Sequence, residues 1–94
     1  MEEAQIVRIA KALGDPTRFR ILSVIAEQKE IRCSELTQRF LIKQATVSHH
    51  LKVLTEAGLV EARHEGSSHY FRVNPANFHT FATTLMGVAM FAQE

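Results

Sequence analysis

The side chains with the most chemistry to offer are gathered in one short stretch, where Gln44, Thr46, Ser48, His49, His50 and Lys52 follow each other between Ile42 and Leu59. Ser48 and His49 are the residue types of a nucleophile and its base. On a helix, however, positions i, i+1 and i+2 point in different directions, so Ser48, His49 and His50 cannot relay a proton among themselves. An enzyme reading therefore lacks its converging groups. The stretch offers instead a set of hydrogen-bond donors and acceptors that can be met from outside. At about 100° per residue, Val47, Leu51 and Leu54 fall on one narrow apolar face. The opposite face carries Ala45, Ser48, His49 and Lys52, with Gln44 and Thr46 at its start and no acid before Glu56. Short or hydrogen-bonding side chains with one cation suit base edges in a DNA major groove; the same pattern also fits ordinary solvated surface. His50 lies only about 60° from the apolar stripe and reads as a packed boundary histidine.

The frame around this stretch is small. Ninety-four residues make one domain, and 46% apolar content gives a modest core, thin for a monomer. There is no run of about 18 apolar residues and no basic-then-apolar leader at Met1-Glu2-Glu3-Ala4, so neither a membrane span nor a signal peptide is expected and the chain reads as cytoplasmic. The single cysteine, Cys33, can form no internal disulfide and cannot by itself build a thiolate-rich metal site. Net charge is only +1, but it is unevenly spread. Residues 1–38 carry six Lys/Arg against six Asp/Glu, whereas residues 39–72 carry five against three, with four of the five histidines. The small excess sits around the polar helix face.

The elements that must position this face follow from periodicity. Glu2 to Leu13 reads as a helix with Ile6, Ile9, Ala10 and Leu13 at helical spacing and Gly14 as its stop. Asp15 is a natural N-cap and Pro16 a first helical residue, with Phe19, Leu22 and Ile25 or Ala26 as the buried stripe of a second helix. Ile31-Arg32-Cys33 alternates like a short strand, and Ser34 is placed to cap a third helix that carries Leu36 and Phe40 inward and ends at Phe40. After the turn Leu41-Ile42-Lys43, the polar-faced helix is expected over 44–57, with Gly58 as its C-cap and Leu59 as the apolar contact behind it. Val60–His64 and His69–Val73 read as two strands around the turn Glu65-Gly66-Ser67-Ser68. Asn74-Pro75 closes the hairpin, and 76–93 reads as a last helix whose Phe78, Phe81, Ala82, Leu85, Met86, Ala89 and Met90 make a broad apolar face. The expected fold is mainly α with one small β-hairpin, in the order α-α-(β)-α-α-β-β-α: a winged helix-turn-helix in a single domain over 1–94.

Three phrases in this order carry a more specific signal. A-L-G-D-P-T-R-F-R-I-L at Ala12 to Leu22, T-V-S-H-H-L-K-V-L-T-E-A-G-L-V at Thr46 to Val60 and Y-F-R-V-N-P at Tyr70 to Pro75 together resemble the ArsR family of small bacterial winged-helix repressors. The resemblance spans roughly residues 6–80. It implies a homodimer that binds double-stranded operator DNA and is released by an effector, often a metal ion. Carried over position by position, it places Gln44, Thr46, Ser48 and His49 at the DNA, with Arg63 and His64 on the wing; Lys43, Ala45, Lys52 and Ser67 join them as candidates from their place on the polar face and at the wing tip. Lys43 stands where the family usually has a serine cap. Helices 2–13 and 76–93 would form the dimer interface through Ile6, Ile9, Leu13, Phe78, Phe81, Leu85, Met86 and Met90, because a terminal helix this apolar is avoided as bare surface. Small residues Ala82, Gly87 and Ala89 would allow close approach there.

The departures from the family pattern concern its metal sites. The family's C-V-C pair falls on Arg32, Cys33 and Ser34, which leaves one thiol in the central position. The D-x-H motif of the last helix and its two further ligands fall on Asn77, His79, Met90 and Gln93, of which only His79 is a usual ligand. No metal or other cofactor is expected, and no effector is named by the sequence. The alternative to a DNA-binding regulator is a winged-helix module that binds protein rather than DNA.

Overall fold

Each apolar stripe read from the sequence finds a place in one core. The computed structural model describes residues 1–93. It contains α1 (Glu3–Leu13), α2 (Pro16–Gln28), β1 (Ile31–Arg32), α3 (Cys33–Phe40), α4 (Gln44–Glu56), β2 (Val60–Glu65), β3 (Ser68–Val73) and α5 (Pro75–Ala92). The three strands form one antiparallel sheet in the order β1-β3-β2. Ile31 pairs with Phe71 and Arg32 with Tyr70 on one side of β3, while Val60 pairs with Val73 and His64 with His69 on the other. Ile9 of α1, Ile21 and Ile25 of α2, Leu36 of α3, Val47, Leu51 and Leu54 of α4, and Leu59 and Val60 beyond it are all buried together. No helix among the described residues is long and apolar enough to cross a membrane.

The local signals explain most of the element boundaries. Asp15 Oδ2 accepts a hydrogen bond from Arg18 N at 2.8 Å, with Pro16 in the first helical position of α2. The C-terminus of α4 is closed by Leu59 N donating to Leu54 O and Gly58 N donating to Thr55 O, both at 3.0 Å, the pattern of a Schellman cap. Gly58 takes φ +84 there, and Leu59 is fully buried as the contact that seals the turn. The wing is longer than the sequence reading, since the strands extend to Glu65 and Ser68 and leave only Gly66 and Ser67 as the turn. Asn74 Oδ1 caps α5 by accepting from Asn77 N at 3.1 Å, so Pro75 is its first residue instead of the last residue of the hairpin.

Gly14 closes α1 as its C-cap, with a right-handed φ of −75 and its N–H donating to Lys11 O. Three expectations are corrected. Ser34 does not cap α3: pairing of β1 with β3 fixes the chain through Arg32, the helix begins at once at Cys33, and no side chain caps it. Leu22 and Ile25 of the expected α2 stripe are buried, but Phe19 is 53% exposed and Ile21 takes its place in the core. Finally, Ile9 and Phe81 belong to the protomer's own core, which removes both from any surface offered to a partner.

α5 is the outlier in burial. Phe81 is its one buried residue among those described, while Leu85, Met86, Val88, Met90 and Phe91 are all exposed. The molecule is accordingly elongated, at 51 × 25 × 23 Å.

The Schellman turn at Gly58 is also a junction. A Cβ at this position would lie 2.9 Å from Asn77 Nδ2 and 3.0 Å from Gln5 Nε2, in a backbone conformation that disfavours L side chains. Gly58→Ala is expected to destabilise the fold by about 1–2 kcal/mol, seen as a lower melting temperature. An unchanged melting temperature would show that this turn tolerates a side chain.

Candidate DNA interface

α4 is held from behind by its apolar stripe and left bare in front. Val47, His50, Leu51 and Leu54 are buried, whereas Lys43, Gln44, Ala45, Thr46, Ser48, His49 and Lys52 are all exposed. The preceding turn makes this possible. Leu41 takes a left-handed φ of 52 and donates its N–H to Thr37 O, which closes α3 and redirects the chain into α4 within three residues. Lys43 occupies the cap position with extended backbone and no side-chain cap, so the first amides of α4 remain open to an outside acceptor.

A groove of about 810 Å³ separates α4 from the wing. Gln44, Ser48, Lys52, Thr55 and Glu56 line one wall, Ala62, Ser67, Ser68, His69 and Phe71 the other, and Arg32, Cys33 and Ser34 close its end. Cys33 Sγ lies 3.8 Å from Ser48 Oγ. Ala45, Thr46 and His49 lie on the exposed side of α4 outside the groove lining. The pairing register explains which wing residues share its face. Ala62 opposes Phe71 and His64 opposes His69, with the two imidazoles edge to face at 4.2 Å between centroids. Arg63 alternates onto the other face of the hairpin. There it donates to Glu30 Oε1 at 2.8 Å and Glu65 Oε2 at 2.7 Å and stacks over Tyr70 at 4.6 Å. The two carboxylates push the Arg63 guanidinium further up from its ordinary value, and Arg63 in turn lowers the Glu30 carboxyl. Arg63 and His64 thus do not act as one patch. His64 and Ser67 stay with the groove side; Arg63 is tied to the acids behind it.

Of the remaining candidates, Lys52 sits 4.0 Å from Glu56 with both side chains largely exposed, a loose pair that leaves its charge available. His50 is only 9% exposed and its Nδ1 faces Arg18 Nη1 at 3.3 Å. Ser48, His49 and His50 therefore point to three different environments, and none of the three serves another as base. Asn77, at one of the family's metal positions, donates through Nδ2 to Gly58 O at 2.8 Å and so has a structural task between α5 and the end of α4. Among the described residues, no three His, Cys, Asp or Glu side chains converge where they could hold a metal ion. Sequence reasoning missed Arg32, Ser34 and His69 as groove residues. For His69 the hairpin register was the available signal, since counting back from the turn sets it opposite His64.

An exposed helix-turn-helix face beside a β-hairpin defines a winged helix-turn-helix domain. Comparison with known proteins agrees with this class. The helix-turn-helix domain family matches residues 13–63. An arsenical resistance operon repressor of Staphylococcus xylosus is 34% identical over 79% of this chain and 70% of its own length. An arsenic resistance transcriptional regulator of Pseudomonas putida is 35% identical over 92% of this chain and 67% of its own. Among solved structures, an ArsR-like transcriptional regulator from Rhodococcus sp. RHA1 superposes with a TM-score of 0.88 at 27% identity, covering 96% of this chain and 84% of that one. The chain belongs to the ArsR family of winged helix-turn-helix transcriptional regulators.

The geometry separates the two cations most often counted together in such a site. If duplex binding is followed against salt, Lys52→Ala should lower the slope of log affinity on log salt by about one unit. Arg63→Ala should leave that slope unchanged, because its charge is already met by Glu30 and Glu65. An equal loss of slope in both variants would place Arg63 on the DNA after all.

Proposed function

We propose that this protein is a non-enzymatic, homodimeric repressor that binds a palindromic operator in the cytoplasm, with α4 of each subunit in the major groove. The observation that carries this reading is the exposed face of α4, free of acid from Gln44 to Thr55 and open to a groove between helix and wing. Gln44 and His49 are assigned to base edges, Thr46 and Ser48 to bases or phosphates, and Ala45 to close approach without a clash. Lys43 and the uncapped first amides of α4 suit a phosphate, since a cation at that end opposes the helix dipole unless an anion lies nearby. Lys52, His64 and Ser67 flank the same surface from the helix and the wing. Two-fold symmetry would set the two reading helices about 34 Å apart, one turn of the duplex.

The dimer contact is assigned to α5 and the adjoining side of α1. Leu85, Met86, Met90 and Phe91 are 47%, 62%, 63% and 79% exposed. Ile6, Leu13 and Phe78 are half-buried beside the core and are assigned to the same contact. Soluble proteins seldom leave so much contiguous apolar area in water, and an isologous pairing covers it twice over. A related solved structure from Mycobacterium bovis, 31% identical with a TM-score of 0.75 over 92% of this chain and 80% of that one, is described as a homodimeric winged helix-turn-helix DNA-binding domain, which supports a homodimer here. No metal effector is assigned, because Arg32, Ser34, Asn77, Met90 and Gln93 stand where the family's ligands would be. Zinc, copper and arsenite are expected not to release the protein from DNA at stoichiometric concentrations.

Two experiments test the two halves of the proposal. Gln44→Ala with His49→Ala should reduce discrimination between operator and random duplex by about 1–3 kcal/mol per lost bidentate contact; equal discrimination in parent and double variant would refute the assignment of α4. Leu85→Asp should yield monomeric or aggregated protein that no longer binds operator, as read by sedimentation and gel shift. A soluble Leu85→Asp dimer with parental affinity would move the interface elsewhere.

A further inference from the structure

A partly buried contact behind α4 links three helices through one guanidinium. Arg18, in the first turns of α2, donates from Nε to Ala12 O at 2.7 Å and from Nη2 to Lys11 O at 3.2 Å. These are carbonyls at the C-terminal end of α1, a helix assigned above to the dimer contact. Its remaining terminal nitrogen, Nη1, faces His50 Nδ1 of α4 at 3.3 Å. Arg18 also stands in for the left-handed glycine cap that α1 lacks. A guanidinium has donors and no acceptor, so Nδ1 must accept and the ring proton must sit on Nε2. We propose that Arg18 is a positioning residue for DNA binding, fixing the reading helix against the end of α1 through His50, and doing so only while that imidazole is uncharged.

A second proton on the ring would turn Nδ1 into a donor aimed at a cation, and both groups are held by their surroundings. His50 lies beside Val47, Leu51 and Leu54 on the buried side of α4, so repulsion there bears on the helix whose other face carries Gln44, Ser48 and Lys52. The charged and titratable groups about the ring are Asp15 and Arg18 from α2 and His49 from α4 itself. Burial lowers the His50 pKa first of all; Arg18 and His49 lower it further, and Asp15 opposes them. Because the folded chain binds this proton less readily than the unfolded chain, the contribution is full above the ordinary imidazole range near 6.5 and is lost as pH falls below it. The expected sign is unusual for a DNA-binding protein. Acid makes a protein more positive, which by itself strengthens attraction to phosphate.

The inference rests on α4 being the DNA-contacting helix, and its test uses the full chain with a labelled duplex recovered by the protein itself from a random pool. Affinity is measured from about pH 8 to about pH 5.5 at constant salt, with fold and dimer state followed by circular dichroism and sedimentation. The parent should lose affinity by roughly tenfold or more on acidification while still folded. His50→Asn, whose Oδ1 replaces Nδ1 as an acceptor that does not protonate, should keep its affinity or gain some. His50→Gln places the acceptor one bond further out and should bind more weakly than His50→Asn at every pH. Parallel pH profiles for parent and His50→Asn, or equal binding by the Asn and Gln variants, would overturn the proposal. So would a nitrogen NMR spectrum of the free parent protein that puts the neutral proton on Nδ1, a reading that needs neither DNA nor a variant. Failure of the parent to bind any duplex would count against the proposed function, and the clamp would then stand or fall on that ring tautomer.

Discussion

A helix can present a polar face to a partner only if its other face is fixed more firmly than the partner can pull. In this protein that constraint falls on α4, which places Val47, Leu51 and Leu54 in the core and leaves Gln44 to Lys52 bare on the outer side. Burying three such side chains contributes on the order of 1.5–3 kcal/mol each. The rest of the fold supplies what they are buried against: Ile9 from α1, Ile21 and Ile25 from α2, and Leu36 from α3. The Schellman turn at Gly58 then sends the chain straight into β2, so the wing is rooted directly behind the helix it flanks. Rigid support and open face are two consequences of one amphipathic pattern.

The small core has a second consequence. Once α1 to α4 and the sheet have satisfied one another, α5 finds cover for Phe81 and partial cover for Phe78, and the remainder projects as apolar helix. The protomer leaves apolar surface uncovered, and in the proposed dimer a second copy covers it by symmetry. On that reading, DNA contact and dimerisation are separated along the chain. The Arg18 side chain is a place where they touch, since it binds carbonyls at the end of α1 and the imidazole on the back of α4.

Much of this was legible in the sequence because it is local. Asp15-Pro16, Asn74-Pro75 and Gly58-Leu59 mark helix ends by mechanisms that need only a few neighbouring residues, and all three act as helix boundaries in the structure. The reading-helix residues Lys43 to Lys52 likewise follow from a single 3.6-residue period, and each candidate there is exposed. What was not legible depended on distant partners. Nothing near Arg63 in sequence announces Glu30, which lies 33 positions away and helps draw the guanidinium to the back of the hairpin. Ile9 and Phe81 look no different from their neighbours on the same stripes, and only the packing of α1 and α5 decides that these two face inward. Phe19 misled for the opposite reason: an aromatic suggests a core position, yet Ile21, Leu22 and Ile25 took the buried phase of α2. The clamp between Arg18 and His50 joins residues 32 positions apart and has no sequence signature beyond the polar nature of its ends.

The measurement closest to the central claim maps the DNA-contacting surface directly and works with a duplex of any sequence. Amide chemical shifts of the nitrogen-labelled protein would be followed as a short unrelated duplex is added at low salt, where phosphate contacts dominate. The affected amides are expected at Lys43 to Lys52 on α4 and at His64 to His69 on the wing, with the back of the hairpin around Glu30 and Arg63 and the apolar length of α5 left unchanged. Shifts concentrated on α5 or around Arg63, with α4 silent, would contradict the account at its root.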